Sequence, residues 1–150
     1  TMDLESVNEV ADAVREAGAP PGNDGGAAGR KRTPGKLRFT KAMGVAIGER
    51  KMCQVSMNLT NYLMTPPHVA FEEVRFEAAR RGLRVTGSEI VGLVPLEPLL
   101  MAAEYDLFVR KERRPEQTER ELVERAHEYL GLSDFNPFDI DRKVIEYAMR

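Results

Sequence analysis

The chain has 150 residues, and its 22 Lys and Arg are balanced by 24 Asp and Glu, which gives a formal net charge of −2. This balance supplies no field that would draw the chain to nucleic acid or to a membrane surface, and no apolar run approaches the roughly 20 residues of a spanning helix. A chain of this length can form one domain, with about two-thirds of its extended surface buried.

The cysteine and histidine content argues against a disulfide and against a metal. The single cysteine cannot form an internal disulfide, which favours a reducing, cytoplasmic location. One cysteine and two histidines are too few soft ligands for a structural zinc site, so we predict no metal.

The first predicted element is an amphipathic helix over residues 3–17, followed by Gly18 where a C-terminal cap is expected. The Gly- and Pro-rich segment 20–36 is predicted to be a flexible loop. It contains a basic cluster: Arg30, Lys31, Arg32 and Lys36. Most such clusters are simply solvated, and the alternative is attraction of an anionic ligand.

Two strands are predicted next, over residues 37–47 and 53–61. Apolar side chains in the second strand alternate strictly with uncharged polar ones: Gln54, Ser56, Asn58 and Thr60. Because side chains of a strand point alternately to opposite faces, this strand has one apolar and one polar face. The polar face is equally compatible with contact to a polar ligand or second protein layer and with simple solvation.

The connection between these strands sets which side chains share a face. We expect a three-residue loop over 49–51, with Lys51 in a left-handed conformation. That register places small side chains opposite the polar ones, namely Ala42 opposite Asn58, Gly44 opposite Ser56 and Ala46 opposite Gln54. The polar face would then have a shallow floor of small residues.

A helix is predicted from Pro66 to Arg81, with Thr65 as its N-cap. His68 lies in its first turn, and Glu72 follows four residues later. This pair could act as a general base and an orienting carboxylate, whereas a surface or capping histidine is the more common arrangement.

A third strand is predicted over residues 83–95, where Gly87 and Gly92 suggest bulges or close approach of another backbone. Glu89 in this strand is either buried with partners or turned outward. Further helices are predicted over 96–107, 117–130 and 141–149, with His127 on a solvated helix face.

The predicted order of elements indicates an α+β fold. If one strand preceded residue 1, the order would become the split β-α-β arrangement of ferredoxin-like folds, with extra C-terminal helices. The sequence contains no phosphate-binding glycine loop, nucleophile elbow or paired histidine ligands.

Two long segments of the chain resemble the formiminotransferase family, the glutamate formimidoyltransferases that occur alone or fused to a cyclodeaminase. The residues that carry the resemblance are 41–44, 54–61, Thr65, His68 and 87–95. Family members have two similar subdomains whose sheets enclose a folate tunnel, and this chain resembles the second. The resemblance implies that the catalytic histidine lies in the N-terminal subdomain, upstream of this chain, and that the full enzyme is a homodimer.

The resemblance also implies a reaction of histidine degradation and one-carbon metabolism, the transfer of a formimino group from N-formimidoyl-L-glutamate to N5 of the co-substrate tetrahydrofolate. Neither His68 nor His127 is then expected to be catalytic. The residues expected to bind folate or the donor are Gln54, Ser56, Asn58, Ser88 and Glu89, and those expected to meet the anionic folate tail are Arg30, Lys31 and Arg32. The alternatives are a non-catalytic folate-binding or interaction module and an enzyme that handles 5-formyltetrahydrofolate.

Overall fold

The computed structural model describes residues 3–19, 33–112 and 117–150. These residues divide into two compact units, one formed by residues 3–19, 33–65 and 72–85 and the other by residues 66–71, 86–112 and 117–150. Each unit is described by itself below.

The first unit begins with helix α1, Leu4–Val14. The side chain of Asp3 caps its N-terminus by accepting a hydrogen bond from the Ser6 amide at 3.0 Å. The helix ends three residues earlier than predicted because the backbone of Arg15 is extended. Its buried face is the one that the apolar spacing predicted: Val7, Val10, Ala11 and Val14.

Two antiparallel strands, β1 (Thr40–Ile47) and β2 (Met52–Leu59), form the sheet of this unit. A short 3-10 turn, Gly48–Arg50, connects them, and Lys51 adopts the predicted left-handed conformation with φ 50°. The connection therefore has four residues instead of three.

The predicted register of the hairpin is wrong. Val45 pairs with Gln54 and Met43 with Ser56, so the small residues of β1 lie on the opposite face from the polar side chains of β2. The physical reason is the packing of α1, because the Gly44 amide donates a hydrogen bond to Asn8 Oδ1 at 3.0 Å. A Cβ atom at Gly44 would lie 2.7 Å from that oxygen, so a larger residue would push the helix away.

Helix α2, Pro67–Arg80, begins in the second unit and continues into the first. The helix begins at Pro67, one residue later than predicted, and the Thr65 hydroxyl donates a tertiary hydrogen bond to the Arg38 carbonyl at 2.5 Å. In the first unit α2 buries Val74 and Ala78, as expected, together with the carboxylate of Glu77.

Helices α3 (Leu96–Val109) and α4 (Glu119–Leu130) form the core of the second unit. Thr118 and Glu121 form a complete capping box at the start of α4, and Gly131 ends the helix in the left-handed conformation that its position predicted. The most deeply buried apolar residues of these two helices are Leu99, Ala102, Ala103, Val123 and Ala126.

The predicted strand over 83–95 is wrong. Residues 83–93 form neither helix nor strand, and Val94 makes a single parallel bridge with Val144. The predicted helix over 141–149 is also interrupted at Val144, which separates α5 (Ile140–Lys143) from α6 (Ile145–Ala148). The bridge explains the break, because the Val94 amide donates to the Lys143 carbonyl and the Val94 carbonyl accepts from the Ile145 amide.

The fold is therefore α+β, as predicted, with a two-stranded antiparallel sheet in the described residues. The third strand that a ferredoxin-like arrangement would require from residues 83–95 is not formed. Within residues 3–19, 33–112 and 117–150, no helix is long and apolar enough to cross a membrane.

Candidate functional site

The exposed face of the hairpin carries the polar residues that the sequence singled out. Gln54, Ser56 and Asn58 are exposed along β2, whereas the intervening Cys53 and Val55 are half-buried. The alternation of a polar and an apolar face is therefore observed, and three of the predicted site residues share one surface.

Strand β1 supplies the other half of this surface. Lys41 lies opposite Asn58, Met43 opposite Ser56, and Val45 opposite Gln54. We call these six residues the hairpin face. Directly opposite side chains of an antiparallel pair have Cβ atoms about 4.5–5.5 Å apart, so each pair can contact the same ligand group.

The composition of the hairpin face differs from the predicted floor of small residues. Ala42, Gly44 and Ala46 belong to the opposite face, and Met43 takes the central position with 58% of its surface exposed. A row with a methionine and a valine therefore runs beside a row of uncharged hydrogen-bonding groups. Such a pair of rows suits a flat heteroaromatic ligand, which needs apolar contact for its ring and hydrogen bonds for its edges.

Lys41 is the charged member of the hairpin face. It is exposed, and within the described part of the chain it forms no ion pair. Lys36 differs, because its ammonium lies 2.6 Å from Glu73 and 2.7 Å from Glu77. Sequence analysis missed Lys41 and Met43 as site candidates because both follow from the register, which the loop length alone did not determine.

The hairpin face can bind and orient a ligand but has no group suited to proton transfer near neutral pH. Amide and hydroxyl side chains donate and accept hydrogen bonds without titrating, and the hairpin face carries no histidine and no carboxylate. The chemistry available on this surface is therefore positioning.

The remaining predicted site residues lie elsewhere. Ser88 and Glu89 belong to the second unit, where the Ser88 hydroxyl donates to the Leu130 carbonyl at 2.6 Å. Glu89 is turned outward and accepts a hydrogen bond from the Asn136 amide at 2.6 Å. The predicted tail-binding residues Arg30, Lys31 and Arg32 lie outside the described residues.

The two histidines occupy different environments. His68 is 8% exposed and its ring stacks on Tyr105 with centroids 4.8 Å apart, so the interpretation as a surface group is wrong. His127 Nε2 lies 2.6 Å from the Ser133 hydroxyl, and its ring stacks on Phe138. The solvated face predicted for His127 is thus partly covered.

A buried carboxylate that sequence analysis missed lies on α2 of the first unit. Glu77 is 1% exposed, and Arg81 and Arg80 join Lys36 around it at 2.5 and 3.2 Å. The hydrogen bond from Lys36, with a smaller contribution from Arg81, outweighs burial and lowers the pKa of Glu77 from 4.5 to about 2. The one available signal was its position between Val74 and Ala78 in the apolar stripe.

Among the residues that the structure describes, no group of three or more His, Cys, Asp or Glu side chains is arranged to hold a metal ion.

Comparisons with known proteins identify relatives over the whole chain. The family model described as formiminotransferase domain matches residues 1–150. The chain is 41% identical over 146 residues, 97% of its length, to the formimidoyltransferase-cyclodeaminase of Dictyostelium discoideum. It is 40% identical over 107 residues, 71% of its length, to the glutamate formimidoyltransferase of Thermoplasma acidophilum. These matches cover 25% and 30% of the two relatives, so the chain spans less than a third of either.

Proposed function

The chain belongs to the formiminotransferase domain family, and from this we infer that it forms one wall of a folate-dependent formimino transfer site. The match of the family model to all 150 residues is the observation that carries this inference. The names of the relatives indicate the reaction class, transfer of a formimidoyl group.

The proposed donor is N-formimidoyl-L-glutamate, and the proposed acceptor is N5 of tetrahydrofolate. N5 attacks the formimino carbon, a new C–N bond forms, and the C–N bond to glutamate breaks. N5 loses one proton and the departing glutamate nitrogen gains one. This reaction requires a base and a surface that holds the amidine and the pterin in attack geometry.

The hairpin face would provide that surface. Its exposed amide and hydroxyl groups at Gln54, Ser56 and Asn58 would hydrogen-bond folate or the donor, and Met43 would contact the ring. The uncharged character of these three groups supports the assignment, because their hydrogen bonding stays the same across the pH range of the reaction.

The base would lie outside this chain, in the N-terminal subdomain of a homodimeric cytoplasmic enzyme. His68 is buried against Tyr105, which supports a structural role for this histidine. Ser88 and Glu89 are proposed separately as folate or donor contacts, since the hydroxyl of Ser88 retains lone pairs for accepting hydrogen bonds. Arg30, Lys31 and Arg32 remain proposed contacts of the anionic folate tail.

The test is a transferase assay on the complete gene product. Incubation with N-formimidoyl-L-glutamate and tetrahydrofolate should release glutamate and form 5-formiminotetrahydrofolate, with no product when either substrate is omitted. Tight folate binding without transfer would identify a non-catalytic binding module. Turnover of 5-formyltetrahydrofolate without turnover of the formimino donor would identify the other one-carbon reaction, and either result would overturn the proposal.

A further inference from the structure

We propose that Lys41 binds a carboxylate of a substrate glutamyl group and so determines which substrates the hairpin face accepts; this inference rests on the proposed function. It starts from the observed register, which places Lys41 directly opposite Asn58. The ammonium of the lysine and the amide of the asparagine are both donors, and a carboxylate has two oxygens that can accept from them.

The charge of Lys41 is available to a ligand. Its five partners on the hairpin face are uncharged, and no described carboxylate pairs with it. Several other cations of the first unit have internal partners at short range, such as Arg81 with Glu77 at 2.5 Å and Arg15 with Asp12 at 2.5 Å. A cation without an internal partner, beside hydrogen-bonding groups that the fold leaves exposed, favours an anionic group of the ligand.

The position of Lys41 along β1 fits an elongated ligand. Successive residues on one face of a strand are about 6.6 Å apart, so Met43 and Val45 extend the surface away from Lys41 over about 13 Å. A ring would lie on this apolar row while a carboxylate reaches the lysine. Folate and the formimino donor both carry a glutamyl carboxylate, and either carboxylate could bind Lys41. Kinetic measurements with each substrate can identify which of the two does so.

The test is the Lys41→Met variant of the complete gene product. Steady-state kinetics should show a three- to tenfold increase in KM for one substrate, with kcat within twofold of the wild type. An increase in the KM of N-formimidoyl-L-glutamate assigns the carboxylate to the donor, and an increase in the KM of tetrahydrofolate assigns it to the folate tail. Because exposed ion pairs are screened, added salt should raise this KM in the wild type and much less in the variant.

Three further variants separate charge from structure. Lys41→Gln should show a similar increase in KM, since it keeps a polar N–H donor but not the charge, whereas Lys41→Arg should restore most of the affinity. Arg84→Met removes an exposed cation outside the sheet and should leave both KM values unchanged. Unchanged KM values for Lys41→Met and Lys41→Gln in an active enzyme would overturn the inference and leave the proposed function standing, whereas an inactive wild type would overturn both.

Discussion

Lys36 and Glu77 form an ion pair at 2.7 Å, in which the lysine is partly exposed and the carboxylate is almost completely buried. The pair joins the segment that precedes β1 to helix α2. Replacing Glu77 with Gln should lower the free energy of unfolding by about 2 to 3 kcal/mol, because three cations lose the carboxylate that they share. Urea unfolding followed by circular dichroism measures this loss.

The matched control for that substitution is Glu73→Gln. Glu73 also pairs with Lys36, at 2.6 Å, but its side chain is 24% exposed. Its replacement should cost less than about 1 kcal/mol, as for other partly exposed pairs. Equal losses in the two variants would show that burial of Glu77 adds nothing to the strength of the pair.

The stability of the protein should fall with acid because of the same carboxylate. The pKa of Glu77 is about 2 in the folded chain against 4.5 ordinarily, so between these values the unfolded chain binds a proton that the folded chain does not. The stabilisation is present above about pH 4.5 and is lost as the pH falls toward 2. Denaturation midpoints measured between pH 6 and pH 2 should decline more steeply in the wild type than in Glu77→Gln, and parallel curves would contradict this assignment.

The register of the hairpin can be tested at Gly44. A side chain there would meet Asn8 Oδ1 at 2.7 Å and the Asn8 amide nitrogen at 3.0 Å, so Gly44→Val should destabilise the protein by about 2 kcal/mol or more. Gly48→Ala is the control, because no atom lies within 4 Å of its added Cβ. If thermal melting showed Gly44→Val to be as stable as the control, α1 would not pack on this face.

The binding role of the hairpin face can be tested at Asn58. Asn58→Ala should raise KM for folate or the formimino donor by about five- to twentyfold, the range expected when one or two ligand hydrogen bonds are lost. Its melting temperature should change little, since the side chain is exposed. Glu49→Ala, at an exposed position of the hairpin connection, should change neither quantity. Unchanged kinetics of Asn58→Ala would remove this residue from the proposed site.

Local patterns predicted helices α1 to α4 and the two faces of β2, because each depends on the spacing of apolar residues along one element. The apolar period of α1 identified its buried face, and Gly131 correctly marked the end of α4. The hairpin register depended instead on the contact between Gly44 and Asn8, which lie 36 residues apart. No local pattern contains that information.

The strand predicted over 83–95 failed for a related reason. Its β-branched and apolar residues favour an extended backbone. A strand, however, also needs a neighbouring strand with which it exchanges backbone hydrogen bonds. In the described residues Val94 pairs with Val144, and the Ser88 amide donates to the Gly131 carbonyl. These contacts satisfy individual backbone groups without forming a ladder, and the same bridge interrupts the last predicted helix.

Gly87 and Gly131 pack against one another so closely that neither has room for a side chain. A Cβ at Gly131 would lie 3.1 Å from the Gly87 Cα, and a Cβ at either glycine would meet Asp134 Oδ2 within 2.7 Å. A mutation at one of these three positions therefore changes what the other two can tolerate. Among related sequences, Gly87, Gly131 and Asp134 should therefore covary. A substitution at one of the three positions should be tolerated only together with a compensating change at another.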